Sequence, residues 1–273
     1  MSQLTLAKRS IRISGALLGF IAGTLLRVRR AHVVASMTRA GVMHPKRAAS
    51  AMYRALGISA VEFLCLGASK TSSANAEVTQ TSRASLTTAR GLGRGVVIAA
   101  SHTGNWDLAA CAIARELPLL VVTKRLKIRW IDAFWQNTRA RRGVRLCEAA
   151  GALAQSRAQL ATGGAVAMMI DQVPNRRAHS EAVSFLGEPA FVDRAPATLA
   201  ARSQAPLVVS AARRLADGSH QLHVLDVIIP PARAGKAWIE EATARATKAL
   251  EAFVLENPSE WLWMHRRWRA PFS

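Results

Sequence analysis

At 273 residues, half of them hydrophobic, the chain is long enough for one large domain with a buried core, which argues against disorder. Lys and Arg number 37 against 17 Asp and Glu, and a net charge of +20 calls for an anionic partner: nucleic acid, phospholipid head groups, or an acidic protein or substrate. Three cysteines, Cys65, Cys111 and Cys147, have no metal-like spacing and make no disulfide framework, which points to reduced thiols packed in a cytosol-facing protein.

The charge is unevenly spread. Ten basic residues, from Lys8 to Arg54, precede the first carboxylate, Glu62. Inside that basic stretch, residues 13–26 (ISGALLGFIAGTLL) form the one long uncharged apolar run, too short to cross a bilayer upright. With basic flanks on both sides, it reads as a membrane anchor or an interfacial helix, and as a buried core helix in the plainer alternative. Residues 1–30 are therefore expected to hold the protein at a membrane while standing apart from the core. A nucleic-acid module is disfavoured, because Phe20 and Tyr53 are the only aromatic residues among the first 60.

Residues 31–68 read as two helices broken near Gly41 and Pro45, and 69–90 as a connector with some helix, so that 31–90 leads into a domain spanning 91–273. From Gly95 onwards short apolar runs alternate with helical patterns. Strands are expected at 96–100, 118–122, 144–146, 165–170, 206–214 and 220–229. Helices are expected at 106–116, 129–142, 150–162, near 193–204, and at 236–256. This alternation predicts an α/β fold, a mixed sheet covered by helices on both faces, behind an N-terminal helical membrane-binding segment.

Several motifs fail on context. GLGRG (91–95) precedes a strand instead of following one, so it is a turn and no dinucleotide loop. His220 and His223 fall on opposite faces of a strand, which suits no shared metal. There is no G-x-S-x-G elbow. The segment SHTGNWD (101–107) survives. His102 follows a strand end, where chemistry gathers in open α/β sheets. Asn105 is a good helix N-cap, and Asp107 lies in the first helical turn. A histidine held by a carboxylate takes a proton from a hydroxyl and returns one to a leaving thiolate. An acid favoured by the helix dipole alone is the plainer alternative for Asp107.

Four blocks in order resemble one family. SHTGNWD (101–107) looks like the HX4D/E motif of the lysophospholipid acyltransferase superfamily, in the form of the bacterial lipid A late acyltransferases (lauroyl and myristoyl transferases). MMIDQVPN (168–175), FLGEPAFVDRAPATLAARSQAPLVVS (185–210) and NPSEWLWMHRRWR (257–269) resemble that family's later blocks, the last being the most specific. The resemblance implies a glycerolipid acyltransferase-like domain that moves a fatty acyl group to a glycolipid hydroxyl, such as that of a lipid A precursor. The donor would be an acyl-carrier protein or acyl-CoA thioester, and the place the cytoplasmic face of a bacterial inner membrane. It implies an anionic lipid acceptor, a membrane surface as partner, and no metal or cofactor.

Carried over by position, His102 is the base and Asp107 its partner, with Asn105, Lys124, Arg125, Asp171, Gln172, Arg194, Arg266 and Arg267 as substrate-binding candidates. Asp171 is the alternative support for His102, with a loop cap as its plainer role. Arg139, Arg141 and Arg142 read as a solvated basic face. Thr123-Lys124-Arg125 departs from the family's Tyr-Arg-Pro. The E-G-T-R-S block of the glycerolipid branch is absent, which disfavours lysophosphatidate as acceptor.

Overall fold

The computed structural model describes residues 3–68, 76–174 and 177–269. The chain opens with helix α1 (Gln3–Phe20), continued by a short π-helical turn over Ile21–Leu25. It then bends by 88° into α2 (Arg30–Arg39), and α3 (Pro45–Ala68) follows. Residues 69–75 of the expected connector lie outside the described residues. Its remainder is a three-residue strand, β1 (Ala76–Val78), and helix α4 (Gln80–Gly91), capped by the Thr79 hydroxyl.

The alternating part follows in the expected order: β2 (Val96–Ala100), α5 (Trp106–Glu116), β3 (Leu119–Thr123), α6 (Arg129–Arg141), β4 (Val144–Glu148), α7 (Ala152–Ala161) and β5 (Ala165–Met169). A hairpin not expected from the sequence comes next, β6 (Ser180–Phe185) and β7 (Glu188–Asp193). Leu186 and Gly187 both take positive φ at its two-residue turn, as the twist of a tight hairpin requires. The chain closes with α8 (Ala195–Ser203), β8 (Leu207–Arg214), β9 (His220–Ile228) and α9 (Lys236–Glu256).

The main sheet has the order β1-β9-β8-β2-β5-β3-β4, with β8, β2, β5, β3 and β4 parallel and β9 antiparallel to β8. The fold is the expected mixed α/β sheet. Val97 and Ala99 of β2 face a core shared with α7, α8 and α9, whereas Val96 and Ile98 face one shared with α3, α4 and α5. Burial on both faces explains why the parallel strands read as unbroken apolar runs.

Residues 1–30 stand less apart than expected, because α1 lies against α3. Gly15, Gly19 and Gly23 form a stripe so close to α3 that a Cβ on Gly19 would fall 2.2 Å from the Tyr53 carbonyl oxygen. Small residues four apart permit this backbone approach and turn the large side chains outwards. Ile13, Leu17 and Phe20 are accordingly 51–60% exposed. The helix is also tied to the sheet, since the Arg12 guanidinium donates to the Ala216 carbonyl beyond β8.

Helix α3 is long and apolar enough to cross a membrane. One of its faces, however, enters the core with Glu62. The Arg214 guanidinium at the end of β8 binds both Glu62 oxygens, and His220 Nε2 and Asn105 Nδ2 meet Oε2 at 3.0 and 2.9 Å. Burial by itself would raise the Glu62 carboxyl, but His220 and Arg214 outweigh it and lower the pKa to about 2. Of the cysteines, Cys111 and Cys147 are buried as expected; Cys65 is exposed on α3, and all three are free.

Two predictions follow from this packing. A Cβ on Gly57 would meet the Gly15 carbonyl oxygen at 2.2 Å. Gly57→Val should therefore part α1 from α3 at a cost of ~1–3 kcal/mol, seen as a lower Tm and faster proteolysis within residues 8–25. An unchanged protease pattern would show that this helix pair does not persist. For Glu62 the folded pKa lies below the ordinary carboxylate value, so its stabilisation is full above about pH 4.5 and is lost as pH falls towards 2. Glu62→Gln should melt lower at pH 7 and lose less Tm than the parent between pH 5 and pH 3. Parallel acid profiles for the two proteins would exclude this network as the source.

Candidate active site

The centre of the site is set by sheet register. β2 and β5 are parallel neighbours with Ala100 opposite Met169, and the Ile170 amide donates to the Ala100 carbonyl at 2.9 Å. Two residues beyond each partner stand His102 and Asp171, side by side at the carboxyl end of the sheet. The His102 backbone amide donates to Asp171 Oδ2 at 2.7 Å, and its ring Nδ1 lies 2.9 Å from Oδ1. The Trp261 indole N–H completes the set, 2.9 Å from Oδ2.

Asp171 is fully buried. Burial disfavours its charged form, yet the charges and hydrogen bonds of His102, with the charge of His265, hold its carboxyl well below the usual carboxylate range. An ionised Asp171 accepts from Nδ1–H, which fixes the tautomer and leaves a lone pair on His102 Nε2. Gln172 Nε2 stands 3.2 Å from that atom and 3.3 Å from His265 Nε2. Given the tautomer, the amide is the donor to His102. Burial, together with the charges of His102, Arg29 and Arg267, lowers the His265 pKa to about 4 against the pull of Asp171, so His265 is neutral at pH 7.

The turn between β2 and α5 is shaped by close backbone approach. Gly104 has φ +54°, and a Cβ there would lie 2.6 Å from the Ala212 carbonyl oxygen. Asn105 caps α5 as expected, accepting from the Leu108 amide at 3.2 Å. The closing segment knits onto this turn. Thr103 bridges to Trp261, the Leu262 amide donates to the His102 carbonyl, and Gly104 donates to Glu260. From α2 and its approach, His32 Nε2 meets the His265 carbonyl at 3.0 Å and Arg29 the Met264 carbonyl at 2.8 Å.

The expected pairing of His102 with Asp107 is corrected. Asp107 Oδ1 is met by Arg139 Nε at 2.7 Å and by the Trp135 indole at 3.2 Å, both from α6. A carboxylate in the first turn of α5 points along that helix towards its neighbour, whereas the imidazole turns to the adjacent strand end. Arg139 is consequently no part of a solvated basic face: its side chain is 14% exposed.

Other candidates are dispersed. Asn105 is buried, and its amide serves Glu62 and Ser59. Arg125 pairs with Asp132 and Glu148. Arg267, expected near a substrate phosphate, is instead 1% exposed, donates to the Phe191 carbonyl at 2.6 Å and lies over the Phe185 ring. Burial lowers its pKa to about 10 despite Asp171. Arg266 is exposed. Arg194 precedes α8, where its charge, with those of His179 and Lys124, opposes the rise that burial gives Asp193. Asn175, the end of the DQVPN block, lies outside the described residues. Among the described residues no group of three or more His, Cys, Asp or Glu is arranged to hold a metal.

The family profile of bacterial lipid A biosynthesis acyltransferases matches residues 39–270. The chain belongs to that family. It is therefore an O-acyltransferase of lipid A biosynthesis, and its matched region runs from the end of α2 to the last described residues. A comparison with curated protein sequences gave no match.

Trp261 and His265 are not among the site candidates read from the sequence, although the Trp-x-Trp-x-His-Arg-Arg pattern carries the signal. In this geometry the imidazole 15N spectrum of the neutral His102 ring should show a protonated Nδ1 and an unprotonated Nε2. Asp171→Asn should abolish that preference while Asp107→Asn preserves it. The reverse result would restore Asp107 as the orienting carboxylate.

Proposed function

We propose that His102 is the general base of acyl transfer from a thioester donor, acyl-carrier protein or acyl-CoA, to a hydroxyl of a lipid A precursor. The observation that carries this is the His102–Asp171 pair at adjacent strand ends, in a chain of the lipid A biosynthesis acyltransferase family. The acceptor hydroxyl displaces the Gln172 amide from Nε2 and gives up its proton there. Its oxygen attacks the thioester carbonyl, and Asp171 stabilises the imidazolium. The tetrahedral adduct then collapses: the carbon–sulfur bond breaks, and the Nε2 proton passes to the leaving thiolate. The displaced Gln172 amide is a candidate donor to the oxyanion.

In this scheme Asp107 acts through Arg139, joining α5 to α6 behind the site. The exposed basic residues around the mouth, Lys124 and Arg266 among them, favour an anionic acceptor. The outward stripe of α1 between basic clusters supports attachment to a membrane surface, and lipid A chemistry suggests the cytoplasmic face of the inner membrane.

The test is transfer of radiolabelled acyl groups to a lipid A precursor by the purified full chain. His102→Ala should lower the rate by ~10²–10⁴. Asp171→Asn should lower kcat by ~10²–10⁴ with little change in acceptor KM. Asp107→Asn should lower Tm more than kcat. An Asp171→Asn protein that is folded and turns over normally would end the proposed dyad. Transfer to other lipids but not to lipid A precursors would move the acceptor assignment.

A further inference from the structure

Seven consecutive residues, 124–130 (Lys-Arg-Leu-Lys-Ile-Arg-Trp), are all exposed, running from the end of β3 into the first turn of α6. Among them Leu126 is 45% exposed, Ile128 53% and Trp130 75%. Large apolar side chains in water are individually common, but three at every second position, alternating with Lys127 and Arg129, are a pattern. The backbone that presents them is held in place. Asp132 Oδ1 accepts from the Leu126 amide at 2.9 Å, and Arg125 bridges Asp132 and Glu148 at 3.0 and 2.9 Å. The segment is thus stapled at its base while its apolar side chains stay outside the core.

Its position matters as much as its composition. It follows the carboxyl end of β3, which pairs with β5, the strand that leads to Asp171. On the other side of the site, α1 is fixed by Arg12 to the turn that follows β8, again at the carboxyl end. Two apolar, basic-flanked surfaces therefore flank the edge on which His102 opens.

We propose that residues 124–130 are a second membrane-docking element, inserting Leu126, Ile128 and Trp130 into the interfacial layer of an anionic bilayer while Lys127 and Arg129 meet its head groups. This rests on the membrane attachment proposed above for α1. Charge complementarity selects an anionic surface. A tryptophan beside aliphatic side chains selects the boundary between head groups and acyl chains over a purely polar partner. With contacts on both flanks, the mouth of the site is held against the bilayer instead of hanging from one tether.

The experiment uses the full-length protein and vesicles of phosphatidylglycerol and phosphatidylcholine. The variant is Leu126→Ser/Ile128→Ser/Trp130→Ser, with Trp130→Phe as a milder second. The triple variant should keep its Tm and its turnover on detergent-dispersed acceptor. Its partition onto anionic vesicles should fall by about tenfold, and its KM for acceptor in bilayers should rise. Lipids brominated near the head of the acyl chain should quench the parent's fluorescence more than that of Trp130→Phe.

Equal partition and equal quenching in parent and variants would overturn the proposal, while vesicle binding by the parent would leave the α1 attachment standing. Normal vesicle binding with a raised KM for an acidic carrier-protein donor would make the segment a protein-docking surface and also overturn it. No binding of the parent to anionic vesicles would remove the membrane reading of α1 and this one together.

Discussion

The site depends on one buried carboxylate. Asp171 has no solvent to share its charge, so it is tolerable only while every donor around it is in place. Those donors come from distant parts of the chain: the backbone and ring of His102 after β2, and the Trp261 indole from the closing segment. The closing segment must therefore return across the sheet before the imidazole has a fixed tautomer. Its other bonds, Leu262 to His102 and Gly104 to Glu260, fasten the same turn from outside. The arrangement is rigid because the anion is costly to leave unpaired, and rigidity is what the proton transfer proposed for His102 would need.

Most of the alternating region was legible in the sequence. The helices 106–116 and 236–256 have the expected bounds, and the longer strands differ by a residue or two. Buried parallel strands produce continuous apolar runs, and Asn105 marks a helix start by its own chemistry. β1 was missed because three residues carry no period. The hairpin has no clear signal because its two strands are short and mix apolar with charged residues, and its Leu186-Gly187 turn lacks the Asn-Gly pattern that marks two-residue hairpin loops. The site was half legible. His102, Asp171 and Gln172 were named, but the partner was placed in the nearest helical turn. What pairs His102 with Asp171 is the register of β2 on β5, two strands 69 residues apart in the chain. A single sequence states no register between strands that distant.

The basic composition needs a similar correction. An excess of arginine suggests many side chains waiting for phosphate, yet several of the arginines in question are already committed. Arg214 neutralises Glu62, Arg139 holds Asp107, Arg125 staples the 124–130 segment, and Arg267 fills the space under Phe185. These guanidiniums bind carboxylates and carbonyls in fixed geometry, which suits the planar fork better than it would suit lysine. Arg266, by contrast, keeps its solvent contact. Net charge thus speaks for long-range attraction more than for the identity of any binding residue.

Orientation at a surface follows from how the first helix is packed. In ISGALLGFIAG the glycines recur every four residues, so one face has no side chains and the opposite face carries Ile13, Leu17 and Phe20. One stretch of sequence therefore encodes both the close contact with α3 and the outward apolar stripe; neither exists without the other. Helix α3 is in turn fixed to the sheet by Glu62 and Arg214, and β8, which ends at Arg214, is the parallel neighbour of the strand leading to His102. The stripe accordingly keeps a set direction relative to the imidazole. A flexible tether of the same hydrophobicity would hold the domain near a bilayer but would leave the mouth of the site facing any way. With α1 locked through glycine and α3 locked through an ion pair, the proposed attachment would also set the aim of the site.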